Sequence, residues 1–446
     1  MRYRKNMPLS AGLLNSILDK NKYTQVWVAL SGGMDSQVLL HLCHKTLYSI
    51  PNPPKLTAIH VNHNLSLNSG LWQEQCQQVC DQYNIPMLAH SVSVTLSGDG
   101  LESAARNARY EVFESVVQEN DCLLLGHHLN DMAETMLFRL MRGAGVAGLA
   151  AMPRTRSLGE GVLIRPLLDV SRADIEVYAK EHGLSWVEDE SNEDESFSRN
   201  FLRSQVLPKL QERWPSALTQ MKRSAAHCEE AQTLLEEVAF DDVAAMGGVM
   251  LDKQLPLSGL LELRVTRQRN VLRAWLRFHD VLVPSEVQIN EYLNQLAQAD
   301  QESSPRLQLG DWDLRRYQDK VYLTPKLVEF DTSLVLEWQL NTVLTLPDSS
   351  LSASLSRGVG LRIADEQVLR VKFRQGGERI QPAGAVGSRP LKKWLQEWGI
   401  PPWLRERVPL IYLGEELVAV ADYCICEGYQ VTADDDGNVL NWELFC

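Results

Sequence analysis

The sequence predicts an α/β fold: a doubly wound parallel sheet, followed by a helical middle domain and a small α+β domain at the C-terminus. Three observations support this prediction. Short apolar runs alternate with helix-period segments in the first part of the chain, the first apolar run ends in a glycine pair that opens a helix, and the alternation stops after Pro208. Such alternation is typical of parallel sheets, whose ligands bind beyond the carboxyl ends of the strands.

The first domain is predicted to contain strands with helices between them. The predicted strands are Val26 to Leu30, Leu56 to Val61, Met87 to Val94, Cys122 to Gly126 and Leu163 to Leu167. The predicted helices between them are Ser36 to Tyr48, Trp72 to Tyr83, Leu101 to Glu119 and Asp131 to Arg142. Ser171 and Asp174 have the spacing of a capping box, which predicts a further helix as far as about His182.

Helical periodicity dominates the middle of the chain, with Leu263 to Phe278 as the clearest helix. The alternation from Arg306 to Leu323 predicts a hairpin that turns near Gly310 or Gln318. Residues 345–360, which are rich in Ser, Gly and Leu, are predicted to be a connection. The predicted domains are 1–208, 209–344 and 345–446.

The 446 residues are 44% hydrophobic and 23% charged, as is typical of a globular protein. No apolar run approaches the ~20 residues that cross a bilayer, and Pro8, Ser10 and Asn15 interrupt any signal-peptide core. The eight cysteines have no regular spacing, which favours reduced thiols. We therefore expect a cytoplasmic protein without a membrane segment. Its oligomeric state, a homodimer included, stays open.

The most informative motif is Ser31-Gly32-Gly33-Met34-Asp35-Ser36, between the first predicted strand and the first predicted helix. The glycines allow a tight turn in which backbone N–H groups converge on phosphate oxygens. No Lys follows them, so the loop is not a Walker A motif. Because a carboxylate in such a cradle repels phosphate unless a cation intervenes, Asp35 is either a Mg²⁺ contact or a helix N-cap. A glycine-rich turn without a ligand is the alternative interpretation.

A second strand-to-helix turn carries the run Gly126-His127-His128-Leu129-Asn130-Asp131-Met132-Ala133-Glu134-Thr135. Asp131 and Glu134 share a helix face. Paired carboxylates near bound ATP can hold Mg²⁺ or receive an ammonium group. Alternatively, Asn130 or Asp131 caps the helix and Glu134 complements its dipole. The two histidines either stabilise a phosphate or cap the strand, and the sequence does not separate these roles.

The net charge of −13 argues against a nucleic-acid partner unless positive charge is concentrated locally. Two clusters meet that condition, and each is either a phosphate-contacting face or a solvated helix face. One contains Arg264, Arg267, Arg269, Arg273 and Arg277, and the other interleaves Lys392, Lys393 and Arg405 with Trp394, Trp398 and Trp403. The tryptophans alternatively form a small core. The first domain offers few such clusters apart from its active-site arginines.

The acidic run Glu188 to Asp194 leads into Arg199 and Arg203, which lie four residues apart on one predicted helix face. An acidic run is usually a solvated loop. The two arginines have the placement needed to close over a phosphate or over the α-carboxylate of an amino acid.

The glycine loop resembles the PP-loop of the N-type ATP pyrophosphatases, which cleave ATP between its α and β phosphates to adenylate a substrate. Further motifs resemble, in order and over nearly the whole chain, those of the tRNA(Ile)-lysidine synthetases. These motifs are SGGMDS, His60-Val61-Asn62-His63, LESAAR with Arg109-Tyr110, GHHLNDMAET, Ile164-Arg165-Pro166-Leu167, EDESNEDESFSRNFLR and LKKWLQEWGIPPWLRERVPL. Asn62, Ser66 and Asn130 depart from the family's pattern, so no role is carried over to them.

The resemblance implies an ATP-dependent ligase that joins the ε-amino group of L-lysine to C2 of the wobble cytidine in a tRNA(Ile) with a CAU anticodon, changing the codon read from AUG to AUA. The expected ATP contacts are residues 31–36 and His60, with Mg²⁺ at Asp35. Lysine is expected at Asp131 and Glu134, with Arg203 as a further catalytic residue. The expected tRNA contacts are Arg199, Lys392, Lys393 and Arg405.

Two other classes are alternatives. A different PP-loop tRNA-modifying enzyme, such as a thiolase or a glutamine-dependent amidotransferase, would need CxxC cysteines or a nucleophilic Cys at the N-terminus or in a Gly-x-Cys-x-Gly elbow, and the sequence has neither. A non-catalytic tRNA-binding protein would be expected to have lost the loop glycines or Asp35, and all are present.

Overall fold

The computed structural model divides the chain into two compact units, Met1–Leu234 and Leu235–Cys446. The residues it describes are 9–15, 17–18, 22–47, 49–64, 66, 68–93, 101–188, 198–300, 303–364 and 366–444. Val94, at the end of a predicted strand, and all of the predicted acidic run except Glu188 lie outside the described residues.

A six-stranded sheet forms the centre of the first unit. Its strands are β1 (Gln25–Ala29), β2 (Lys55–Asn62), β3 (Met87–Ser91), β4 (Asp121–Leu124), β5 (Thr155–Leu158) and β6 (Gly161–Ile164). Their order is β3-β2-β1-β4-β6-β5, and every pair is parallel except β5 with β6. The predicted doubly wound parallel sheet is confirmed, with a short antiparallel edge strand that sequence analysis did not predict.

The predicted strand Leu163 to Leu167 is wrong in its second half. Strand β6 ends at Ile164, and Pro166–Asp169 forms a 3₁₀ helix. The cause is Pro166, which has no N–H to donate to a strand ladder and fixes its own φ near the helical value.

The helices predicted for the first unit are confirmed, with starts that differ by up to three residues. The helices are α1 (Met34–Leu47), α2 (Ser69–Gln82), α3 (Leu101–Val116), α4 (Leu129–Met141), α5 (Val146–Leu149), α6 (Arg172–Glu181), α7 (Ser198–Phe201) and α8 (Leu207–Arg213). Between α7 and α8 the chain forms a π-helical turn, Leu202–Val206. Such turns are rare and occur frequently at functional sites.

Hydrophobic residues cover both faces of this sheet. Val28 and Leu39 belong to the cluster under α1, and Phe113 and Leu123 belong to the cluster under α3. Because both faces are buried, the open surface of the sheet is at its ends, where the strand-to-helix turns lie.

The middle of the chain is mainly helical and ends in a small sheet. Its elements are α9 (Ala217–Ala245), β7 (Gln254–Pro256), α10 (Leu257–Glu262), α11 (Val265–Phe278), α12 (Glu286–Gln298), β8 (Arg306–Leu309), β9 (Trp312–Tyr317) and β10 (Lys320–Pro325). The strand order is β7-β10-β9-β8. The chain turns at both candidate positions, Gly310 and Gln318, which have φ of 65° and 51°. The predicted hairpin is therefore two consecutive hairpins.

The C-terminal part is a β-rich region, whose described residues include one α-helix and the 3₁₀ helix Pro402–Leu404. Its elements are β11 (Leu336–Trp338), β12 (Leu344–Thr345), β13 (Ser349–Arg357), β14 (Leu369–Lys372), β15 (Arg379–Ile380), β16 (Arg389–Pro390), α13 (Leu391–Glu397), β17 (Leu410–Leu413), β18 (Glu416–Val420), β19 (Cys424–Ile425) and β20 (Asp436–Leu444). The larger sheets have the orders β11-β14-β17-β18-β19 and β12-β13-β20.

The predicted connection at residues 345–360 is wrong, because β13 pairs with β20 along its whole length. Its serines and leucines alternate, and Leu351 is fully buried, so the period of two outweighs the turn-like composition. Strand β11, which lies before the predicted boundary at residue 345, pairs with β14 of the C-terminal part. The three domain boundaries stay predictions.

Across the described residues, no helix combines the length and the apolar character needed to cross a membrane. The cysteines there are free thiols, as expected.

Candidate active site

The glycine loop joins β1 to α1, as predicted. Gly32 has a φ of +89°, which residues with a Cβ rarely adopt. The Ser36 hydroxyl donates to the Gly33 carbonyl at 2.8 Å, and the Ser31 N–H donates to the Ser36 oxygen at 3.2 Å. The Met34 side chain is buried in the core. Ser36 therefore shapes the loop, and Met34 offers the loop only its backbone.

The second strand-to-helix turn packs directly on this loop. A Cβ on Gly126 would lie 3.1 Å from the carbonyl carbon and oxygen of Asp35 and 3.2 Å from the amide nitrogen of Ser36. The two turns thus meet backbone to backbone, at a distance that leaves little room for a Cβ. Sequence analysis quoted Gly126 within a motif but found no reason for a glycine there.

Asp35, in the first turn of α1, lies between the side chains of His128 and Arg172. Its Oδ1 is 3.6 Å from Nε2 of His128, and its Oδ2 is 3.4 Å from Nη1 of Arg172. Burial alone would raise the pKa of Asp35, but His128, Arg172 and Arg203 outweigh it and lower that pKa below its usual value. Asp35 is therefore ionised at neutral pH. No motif in the sequence predicted this contact, because Arg172 is 137 residues from Asp35.

His128 is the N-cap of α4. Its Nδ1 accepts from the Asp131 N–H at 3.3 Å, and Asp131 Oδ2 accepts from the His128 N–H at 2.8 Å, which makes a capping box. In the neutral imidazole the hydrogen is therefore on Nε2, which faces Asp35. Burial lowers the pKa of His128, but Asp35 and Asp131 together raise it by more, so the pKa lies above its usual value. Asn130 accepts from the Arg172 N–H at 3.1 Å, so its side chain positions α6.

Asp131 and Glu134 lie on one face of α4, and Arg203 from the π-helical turn contacts both. The guanidinium donates through Nε and Nη2 to the two Glu134 oxygens, each at 2.9 Å, and Nη2 lies 3.7 Å from Asp131 Oδ1. Glu134 is 3% exposed, and burial raises its pKa although Arg203 offsets part of the effect. The result is a buried, charge-paired Glu134 beside a more exposed Asp131.

His60 supports the residue before the glycine loop. Its Nδ1 donates to the Leu30 carbonyl at 2.8 Å, and burial lowers its pKa, so the ring is neutral with an unprotonated Nε2. The predicted contact of His60 with ATP stays a prediction. Asn62, on the same strand, binds Asn64 and Gln73, which is a structural use of its amide.

The surroundings of Asp35 fit a divalent cation. Its Oδ1 is buried and, among the described residues, has no donor within hydrogen-bond distance; Nε2 of His128 lies 3.6 Å away. Mg²⁺ at nucleotide sites is usually held by one or two carboxylates together with phosphate oxygens. Within the described ranges, no group of three or more His, Cys, Asp and Glu side chains is arranged to hold a metal ion by itself.

An arginine cluster surrounds His127 next to this site. Burial lowers the pKa of His127 to about 3, and the charges of Arg165 and Arg106 add to the effect, so its ring is neutral. The Arg106 and Arg156 guanidinium groups lie 4.8 and 4.7 Å from the Tyr110 ring centroid. The first domain is expected to hold few basic clusters apart from its active-site arginines, and these arginines adjoin that site. These arginines come from separate segments, so spacing along the chain does not reveal the cluster.

The predicted C-terminal tRNA contacts differ in availability. Lys392 and Lys393 are exposed on α13. Arg405 donates through Nε to the Ile400 carbonyl at 2.8 Å and through Nη2 to the Tyr317 hydroxyl at 3.0 Å, so two of its groups hold local structure. In the first unit, the Arg199 guanidinium lies 5.8 Å from the Phe138 ring centroid.

The three tryptophans near α13 pack against other side chains, as the alternative interpretation expected. Trp394 and Trp398 stack with centroids 5.9 Å apart beside the hydrophobic core. Trp403 makes edge contacts with Tyr317 and Tyr322.

Most arginines of the predicted basic helix, α11, already have carboxylate partners. Arg267 pairs with Asp242, Arg269 with Glu286 and Arg277 with Glu236. Paired arginines have less charge available for phosphate, which weakens α11 as a nucleic-acid face.

This fold and site define a PP-loop enzyme that uses ATP, and comparison with known proteins narrows the class. Residues 9–210 match the family profile "PP-loop domain", residues 255–322 "TilS substrate binding domain" and residues 369–442 "TilS substrate C-terminal domain".

Three curated tRNA(Ile)-lysidine synthases illustrate the similarity. The protein from Coxiella burnetii is 41% identical over 95% of this chain and 94% of its own. The values are 38%, 98% and 99% for Serratia proteamaculans, and 41%, 93% and 92% for Pseudomonas fluorescens. The chain belongs to the tRNA(Ile)-lysidine synthase family.

Proposed function

We propose which residues of this chain perform each part of its reaction. The chain is an ATP-dependent ligase that forms lysidine in tRNA. The reaction joins the ε-amino group of lysine to C2 of the wobble cytidine in a tRNA(Ile) with a CAU anticodon, so that AUA is read instead of AUG. The site residues, the metal and the mode of lysine binding are our proposals.

The chemistry needs two displacements. The cytosine O2 is a poor leaving group, so it first attacks the α-phosphorus of ATP, forming an O–P bond while the bond to pyrophosphate breaks. The lysine amine then attacks C2, and the C–O bond breaks with release of AMP. A protein nucleophile is unnecessary, so binding, orientation and proton transfer are the work of the side chains.

The main support for this proposal is the close contact between Gly126 and the Asp35 backbone. It brings the phosphate loop and the carboxylate-bearing turn together, as adenylation and lysine transfer at one base require. We assign the phosphates of ATP to the N–H groups of residues 31–36, with His60 bracing the loop from Leu30. Mg²⁺ at Asp35 would neutralise charge on those phosphates.

We assign the ε-ammonium of lysine to Asp131. Its Oδ1 is 3.7 Å from Arg203, beyond hydrogen-bond distance, and its side chain is 20% exposed. Glu134 is engaged by Arg203 through both oxygens, so it acts by orienting that guanidinium. Asp131 then also accepts the proton that the ammonium must lose before it attacks.

For tRNA, we assign phosphate contacts to Lys392 and Lys393 on α13, with Arg405 and Arg199 as further candidates. Lys392 and Lys393 are the stronger candidates because they are exposed, whereas Arg405 already uses two of its donors within the protein. A homodimer stays open as a prediction.

The test is incubation of the purified protein with ATP, labelled lysine and unmodified tRNA(Ile) bearing a CAU anticodon. We expect tRNA-dependent release of pyrophosphate and AMP with label in the tRNA. A tRNA whose wobble base is uridine is the matched control and should take up no label. Absence of label from the CAU substrate would refute the proposal.

A further inference from the structure

An apolar cavity of about 460 Å³ opens in the first unit between the end of α4 and the segment 198–206. Its lining includes Leu137, Phe138, Met141, Phe201 and Val206. Met141 is 71% exposed and Phe201 is 48% exposed. Large apolar side chains at the mouth of a cavity mark a binding surface more often than an accident of folding.

Positive charge surrounds this cavity. The guanidinium groups of Arg142 and Arg199 lie 5.3 and 5.8 Å from the Phe138 ring centroid. Aromatic rings beside guanidinium groups form the usual platform for bases of single-stranded nucleic acid, whose phosphates the arginines contact.

The cavity adjoins the proposed lysine site. Phe138 follows Glu134 by four residues and Asp131 by seven on the same face of α4, rises of about 6 and about 10.5 Å. Leu202, which lines the cavity, immediately precedes Arg203. Successive nucleotides in a stacked strand are about 3.4 Å apart. The rise from Asp131 to Phe138 exceeds this spacing, so a nucleotide next to the reacting cytidine would reach the cavity with its base splayed out of the stack, as bases in single-stranded RNA loops commonly are.

We propose that this cavity binds a nucleobase of the anticodon loop adjacent to the wobble cytidine, with Phe138 and Phe201 as apolar contacts and Arg142 on a neighbouring phosphate. This inference rests on the proposed function and adds a second base contact to it. The charge favours RNA over an apolar peptide, which would gain nothing from a rim of arginines.

The test is a double-mutant cycle in which one change is made in the protein and the other in the RNA. Binding of full-length tRNA is measured for the wild type and Phe138→Ala, each with intact tRNA and with tRNA carrying an abasic nucleotide immediately before or after the wobble cytidine. We expect one abasic tRNA to bind the wild type about tenfold more weakly, and Phe138→Ala to bind intact and abasic tRNA nearly equally. Arg142→Ala should weaken binding and reduce its salt dependence, whereas Arg213→Ala, an exposed arginine on α8, should change neither.

Wild-type binding that is insensitive to both abasic nucleotides would overturn the inference, and so would losses that add independently in the cycle. The abasic tRNA tests the cavity even if Phe138→Ala folds poorly. Binding does not depend on catalysis, so absence of lysine incorporation by the wild type would refute the proposed function separately. Concentration-dependent dimerisation abolished by Phe138→Ala, with unchanged tRNA binding, would assign the cavity to a second copy instead.

Discussion

Arg203 binds Glu134 through two parallel hydrogen bonds of 2.9 Å, from Nε to Oε1 and from Nη2 to Oε2. The partners are 69 residues apart in sequence, and the carboxylate is almost completely buried. A buried carboxylate with a bidentate arginine is costly to unpair, because the remaining charge loses its partner away from water. The pair therefore anchors the segment 198–206 to α4, where the lysine site is proposed.

This relationship distinguishes the two carboxylates. We expect Asp131→Asn to raise the KM for lysine much more than the KM for ATP, because it removes the charge assigned to the ammonium. Glu134→Gln should lower the free energy of unfolding and the fraction of active enzyme, because it unpairs Arg203. Steady-state kinetics with each substrate varied, together with thermal melts, separates the effects. An unchanged KM for lysine in Asp131→Asn would remove that residue from the lysine site.

Asp35→Ala should abolish tRNA-dependent pyrophosphate release while the fold and tRNA affinity are largely kept. The reason is that the variant lacks the carboxylate proposed to hold the cation against the phosphates. Asp81→Ala, which changes an exposed carboxylate on α2, is the matched control. Pyrophosphate release at the wild-type rate by Asp35→Ala would show that the assignment is wrong.

The stability contributed by His128 should depend on pH in a direction set by its raised pKa. A group whose pKa is raised on folding stabilises the protein fully below its unfolded value, here 6.5, and loses that contribution as the pH rises through the folded pKa. The difference in the free energy of unfolding between wild type and His128→Asn should therefore shrink above pH 6.5. Asn keeps a capping oxygen without the charge.

Denaturant unfolding at several pH values measures this difference, and His227→Asn, an exposed histidine on α9, is the control. A difference that is the same at every pH would contradict the role of the charged His128.

Gly126→Ala should impair ATP use more than the surrounding fold. Its Cβ would meet backbone atoms of the phosphate loop at 3.1 Å, and backbone gives way less readily than the end of a flexible side chain. Overpacking of this kind typically costs about 1–3 kcal/mol. Gly70→Ala, at a helical glycine with open space around it, is the control. A wild-type KM for ATP in Gly126→Ala would show that the close approach is not needed.

Replacing Lys392 and Lys393 with Ala should weaken tRNA binding and flatten its salt dependence by about one unit of log–log slope for each phosphate that the variant no longer binds. Arg269→Ala is the comparison on α11, where Glu286 already pairs the charge. Filter binding over a series of salt concentrations measures both. Wild-type affinity and slope in the double variant, with α13 still folded, would place the tRNA elsewhere.

The sequence by itself determined the features that depend on near neighbours along the chain. Apolar periodicity predicted the parallel sheet and its helices, and the glycine loop and the order of motifs predicted the enzyme class. Local composition misled where a longer pattern competed, as in β13, where serine and leucine alternate in a strand that pairs with β20.

Only the tertiary structure decided which distant groups meet. It brought Gly126 against Asp35, paired Glu134 with Arg203, and gathered Arg106, Arg156 and Arg165 into one cluster. It also showed that three arginines of α11 are paired. The physical reason is that partners far apart in sequence are chosen by packing and desolvation in the folded chain, which leave no periodic signal in the sequence.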